Sequence, residues 1–168
     1  VTCATQGCPA PTAGNSKYCR EHKAVAREQW LANVRNGQAE RAAREAKWAD
    51  LFARAHTAGE SAAAAHTPAA MVVQQRADVM DDTSPVVQQW VVPDGVCGFA
   101  WVKVRPGNCS FALWLKKHKG GRTDYYGGIV LWVSAYNQSM EKKLAYARAF
   151  AGVVKEAGVD AYADYRLD

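Results

Sequence analysis

The chain has 168 residues, 49% of them hydrophobic, and 21 Lys and Arg against 16 Asp and Glu give it a net charge of +5. That size can bury a core of one main domain with an appendage, and a basic balance favours contact with polyanions without requiring it. The longest apolar runs, such as residues 129–133, are too short to cross a bilayer, and the amino terminus lacks the apolar core of a secretory signal. The expectation is a soluble, cytoplasmic protein with no membrane partner.

Residues 1–22 are rich in Gly, Pro and Asn and nearly devoid of large aliphatic residues, so burial alone cannot fold them. They do contain Cys3, Cys8, Cys19 and His22, spaced as two close pairs separated by a loop. Zinc takes four such ligands as a tetrahedron at about 2.0 to 2.3 Å, and each short spacing lets two of them reach one ion. Five cysteines, three of them clustered beside a histidine, suit a metal in a reducing compartment better than a disulfide framework. Four protein ligands leave no position for substrate, so one structural Zn2+ is expected, with His22 tying the loop to the helix that follows.

Residues 23–66 form an Ala-, Arg- and Glu-rich helical region, in which Trp30, Val34, Trp48, Phe52 and Ala55 lie near one stripe. Asn36-Gly37 is a turn signal within it, which leaves open one kinked rod or two helices folded together. Lys23, Arg27, Arg35, Arg41 and Arg44 lead out of the zinc module and could follow a phosphate backbone. Interleaved Glu21, Glu28, Glu40 and Glu45 equally fit a solvated helix laced with i,i+4 pairs. Thr67-Pro68 ends the region, and residues 67–85 read as a linker whose apolar group at residues 71–73 could dock as a strand.

Residues 86–168 read as a ββαβαβ sheet domain, giving an α+β chain overall with helices packed on one face of about four strands. Residues 86–92 and 98–104 flank Pro93-Asp94-Gly95 and suggest a hairpin. Ser110 is expected to cap a helix over 111–118, Ser139 a longer one over 140–157 that stops at Gly158, and 161–167 forms the last strand. Lys116, Lys117, Lys119 and Arg122 run into a Gly-rich loop with Tyr125 and Tyr126, which could hold phosphates while the tyrosines stack on bases. Trp101, Trp114 and Trp132 fit packing better than recognition, Cys97 and Cys109 read as buried small residues, and His56, His66 and His118 have no partner apparent in sequence. No catalytic constellation emerges.

Residues 94–102 (DGVCGFAWV), 131–134 (LWVS) and 136–141 (YNQSME) resemble small uncharacterised proteins of tailed bacteriophages, over about the last 75 residues. The resemblance implies a viral accessory protein and carries no site residues with it. The residues themselves favour a non-enzymatic, zinc-stabilised nucleic-acid-binding protein, DNA and RNA being undistinguished. The competing expectation is a protein-interaction component, a virion part or modulator of a host protein, docking through the Ala-rich helix and the linker.

Overall fold

The computed structural model describes residues 1–168, which divide into two compact units, Val1–Lys47 and Trp48–Asp168. In the first, residues 1–19 form a knuckle held by backbone hydrogen bonds rather than by apolar packing. The Cys3 amide donates to the Ala10 carbonyl (3.1 Å), Ala4 to Lys17 (2.9 Å), Thr12 to Val1 (3.0 Å) and Ala13 to Tyr18 (3.1 Å). Gly7 and Gly14 turn the chain at φ 78° and 59°, a region costly for any residue with a Cβ. Helix α1 follows as one continuous element, Arg20–Ala65. Of the two arrangements left open by Asn36-Gly37, the single helix is the one formed. An interior glycine costs only about 1 kcal/mol relative to alanine, and Ala, Arg, Glu and Gln on either side outweigh it.

In the second unit, α1 buries Leu51, Ala55, Gly59 and Ala63, four positions spaced by four residues on one stripe. They enter a core with helix α2 (Ser110–His118) and helix α3 (Met140–Glu156). Beneath the helices lies an antiparallel sheet of strands β3 (Gly98–Arg105), β4 (Arg122–Thr123), β5 (Ile129–Trp132) and β6 (Asp160–Leu167), in the order β4-β5-β3-β6. Ala100, Val102 and Val104 of β3 are fully buried against Phe111, Leu115, Phe150 and Val154. Period-two alternation therefore sends Phe99, Trp101, Lys103 and Arg105 to the other face.

The hairpin expected between residues 86–92 and 98–104 does not form. Strand β2 (Val86–Val92) pairs instead with β1 (Met71–Arg76), as a separate two-stranded ribbon running from Met71↔Val92 to Arg76↔Val86. The reason is occupancy: β3 has β5 on one edge and β6 on the other, so it has no edge left for β2. The connecting residues are captured by the start of α3, where Gly98 donates to Gln138 (3.1 Å) and Met140 to Val96 (3.1 Å). Residues 67–85, read as linker, thus contain β1 and the turn closing the ribbon, in which the Ser84 hydroxyl donates to the Asp78 carbonyl (3.0 Å) and Arg76 to Ser84 (2.7 Å).

The helix caps follow sequence closely. Ser139 caps α3 as expected, and Gly158, at φ 82°, follows its last turn. At α2 the cap is Cys109, whose Sγ accepts from the Ala112 amide (3.4 Å), so Ser110 is instead the first helical residue. No helix is long and apolar enough to cross a membrane.

Candidate metal centre and nucleic-acid surfaces

The knuckle brings Cys3, Cys8, Cys19 and His22 together, with all four ligand atoms within 4.8 Å of one another. His22 Nδ1 lies 3.5 Å from Cys3 Sγ and 3.3 Å from Cys19 Sγ, and Cys8 Sγ lies 4.0 Å from Cys19 Sγ. Ligands held tetrahedrally at about 2.0 to 2.3 Å from one ion stand roughly 3.3 to 3.8 Å apart. The side chains present therefore fit a single four-coordinate metal ion, with small contractions closing the longer edges. Cys3 and Cys19 are buried, Cys8 and His22 half-buried.

The electrostatics suit a cation. Burial pushes the Cys3 thiol up, but the backbone amides of Cys19 and Thr5, the Thr5 side chain and His22 outweigh it and bring the thiol down to about 6. The Cys19 amide approaches Cys3 Sγ at 3.3 Å. Cys8 moves the other way. Its Ala10 amide favours the thiolate, yet burial and the neighbouring thiols of Cys19 and Cys3 raise it, because adjacent thiolates repel. A bound cation removes that repulsion and takes the place of the protons.

Lys23, Arg27, Arg35, Arg41 and Arg44 are all exposed on the part of α1 that lies in the first unit. At 3.6 residues per turn, Arg20, Lys23, Arg27 and Arg41 fall within about a sixth of the helix circumference, while Glu21 and Glu28 project well outside it. Glu45 intrudes on that sector, which also contains Val34 and borders Trp30, 62% exposed.

In the second unit, Lys116, Lys117, Lys119, Arg122, Tyr125 and Tyr126 are exposed but do not form one cluster. Lys116 Nζ donates to Thr123 Oγ1 (3.1 Å), and Lys119 Nζ lies 4.5 Å from the Phe52 ring centre, on the helix side of the sheet. The Gly-Tyr segment is an organised turn rather than a loose loop. Asp124 accepts from Lys103 Nζ and from the Tyr126 amide (3.2 Å), and the Gly127 amide returns to the Asp124 carbonyl (3.1 Å). Lys103 is only 6% exposed, and its ammonium holds the Asp124 carboxyl below the usual range. Tyr126 borders the helix-free face, its ring 6.0 Å from Lys103 Nζ.

Two features of this unit depart from the sequence expectations. Trp101 and Trp132, expected as packing like Trp114, lie on the helix-free face, where Trp132 is 46% exposed. The alternation of β3 was the available signal. His56 and His66, expected without partners, both have them: His56 Nδ1 contacts Tyr146 Oη (2.5 Å) and its Nε2 lies 3.4 Å from Glu60, while His66 Nε2 is 3.0 Å from Glu141. Those partners on α3 lie 90 and 75 residues away, beyond any local pattern. Burial, with Tyr136 and Glu60 nearby, pushes the Tyr146 hydroxyl up to about 12, so it serves as a neutral hydrogen-bonding group. Cys97 and Cys109 are half-buried, Cys97 Sγ donating to Gln138 Oε1 (2.8 Å).

No family model matches the chain, and neither do the curated proteins or the solved structures with which it was compared.

Proposed function

We propose that the Cys3, Cys8, Cys19 and His22 group holds one structural zinc ion and that the chain is a non-enzymatic nucleic-acid-binding protein, an accessory protein of the kind tailed bacteriophages encode. Three thiols and one imidazole form a donor set soft enough for zinc, and four protein ligands complete its usual tetrahedron, so the ion acts as a clamp and not as a reaction centre. The observation that carries the binding reading is the sector of α1 beginning at the clamp, where Arg20, Lys23, Arg27 and Arg41 are exposed together. Cations along one helix face can each neutralise a phosphate and release counterions. Arg35 and Arg44 flank the sector, and Arg122, Tyr125 and Tyr126 offer further contacts.

A filter-binding salt titration tests this. Affinity should fall steeply with salt, and Lys23→Ala or Arg27→Ala should each reduce the slope of log K against log salt by about 0.9 for a duplex. Absence of binding to both single- and double-stranded nucleic acid at about 50 mM salt, where such contacts are strong, refutes the reading.

A second reading, docking on a protein partner, is favoured by the β1–β2 ribbon. Val73, Trp90 and Val91 are exposed there, and Val73 sits across from Trp90. Trp30 adds an exposed apolar side chain on α1. Pull-down with and without nuclease separates the two, because partners retained after nuclease treatment belong to this second reading.

A further inference from the structure

The helix-free face of the four-stranded sheet carries aromatic rings flanked by arginines, and we propose that it is a platform for single-stranded nucleic acid, with bases stacking on the rings and phosphates meeting the guanidinium groups. The inference rests on the nucleic-acid reading above and gives it a substrate class and a site in the second unit.

Trp101 and Trp132 are cross-strand neighbours with ring centres 4.8 Å apart, and Phe99 meets Trp132 edge to face at 6.0 Å. Tyr162, 37% exposed, lies on the adjacent strand across from Lys103. The core lies on the side of Ala100, Val102 and Val104, and α3 reaches this face at its Phe99 end, where Lys143 Nζ lies 5.6 Å from the ring centre. Phe99 and Trp101 on β3 are half-buried, while Trp132 on β5 and Tyr162 on β6 stay exposed beside them, an exposure that core packing does not explain. Trp101 and Trp132 are tilted by 41° and Phe99 stands edge-on to Trp132, so the exposed Trp132 and Tyr162 rings offer the π-surfaces, which every base can match once it is out of a duplex.

The charges set the partner's sign. The Arg166 guanidinium lies 5.3 Å from the Phe99 ring centre and that of Arg105 5.7 Å from Tyr162, at opposite ends of β3. Arg122 enters from the other side, across from Val130. Asp160 and Asp164 occupy the same face on β6, paired in register with Arg105 and Trp101. The platform is therefore only modestly basic, and stacking must supply more of its affinity than phosphate contacts do. A duplex presents phosphates but no base faces, so this site should prefer single strands and tolerate salt better than the α1 sector.

The test is fluorescence anisotropy with the full-length protein, a labelled oligothymidylate of about twelve nucleotides, within the usual site size of sheet platforms, and a duplex of equal length. Trp132→Ala and Arg166→Ala should each weaken single-strand binding by about five- to tenfold or more while leaving duplex binding unchanged, and Trp132→Phe should restore most of the loss. Lys23→Ala/Arg27→Ala should instead weaken duplex binding. Single-strand binding indifferent to Trp132→Ala overturns the platform and leaves the α1 reading standing. A loss that Trp132→Phe does not restore also overturns it, since that would report altered folding and not stacking. Absence of binding to either nucleic acid overturns both, and a protein partner competing for Trp132 without nucleic acid would assign the face to docking instead.

Discussion

Two glycines of α1 should respond to the same substitution with opposite signs. Glycine-to-alanine in a helix interior ordinarily stabilises by about 0.5 to 1 kcal/mol, since alanine loses less backbone freedom on folding. At Gly37 a Cβ would meet nothing within 4 Å, so Gly37→Ala should realise that gain. At Gly59 the new carbon would stand 2.7 Å from Cδ2 and Cε2 of Tyr146 and 3.0 Å from its Cγ. The ring has little room to retreat: it is 7% exposed, its hydroxyl contacts His56 and its face packs near Phe150. Overpacking a well-filled site costs about 1 to 3 kcal/mol. The net expectation for Gly59→Ala is destabilisation by roughly 0.5 to 2 kcal/mol after subtracting the propensity gain. Urea unfolding followed by tryptophan fluorescence reports the second unit, and far-ultraviolet circular dichroism reports α1 as a whole. A Gly59→Ala protein as stable as wild type, or more so, would refute the close helix contact and the reasoning built on it.

Chelation of the proposed zinc ion, or Cys19→Ser, should remove a contribution of order 10 kcal/mol from the first unit. Hydrogen exchange should then show loss of protection at the Cys3, Ala4 and Thr12 amides, while the Val102 and Val104 amides of the sheet stay protected. On pH, the Glu141 carboxyl is held below its ordinary value of 4.5, first by His66 and then by the Ala69 amide. A depressed carboxyl contributes stability that is present above the unfolded value and lost as pH falls through the folded one. Urea midpoints measured from pH 6 to pH 3 should therefore fall less steeply for Glu141→Gln than for wild type.

What could be read from the sequence is what depends on neighbours along the chain. The four metal ligands are close in sequence, Ser139 and Gly158 mark the ends of α3, and the alternation from Gly98 to Arg105 defines a strand. Each follows from local geometry. Partner choice does not: an alternating pattern identifies β2 as a strand but cannot say that β5 and β6 have taken both edges of β3 and left it to β1. The same limit hid the exposure of Trp132, since which face of a strand is covered depends on where helices distant in sequence come to rest. The pairing of His56 with Tyr146 is likewise a product of helix packing. Asn36-Gly37 left two arrangements open for a different reason: the dipeptide is turn-prone by itself, and whether it turns depends on the strong helix formers on both sides, which here prevail.

The knuckle has one further consequence, which concerns the onset of α1. Cys19 immediately precedes the helix, His22 lies in its first turn, and the Cys19 carbonyl accepts the Lys23 amide at 2.9 Å. An ion joining Cys19 to His22 fixes the dihedral angles that an unaided chain must order to start a helix, a step that occurs with a probability of only about one in a thousand. An ion held by these four side chains would thus be a nucleation template as well as a clamp, supplying the first turn from which the exposed Arg- and Ala-rich stretch propagates. Helix content in residues 20–47 should accordingly rise and fall with metal occupancy, decaying from the amino-terminal end.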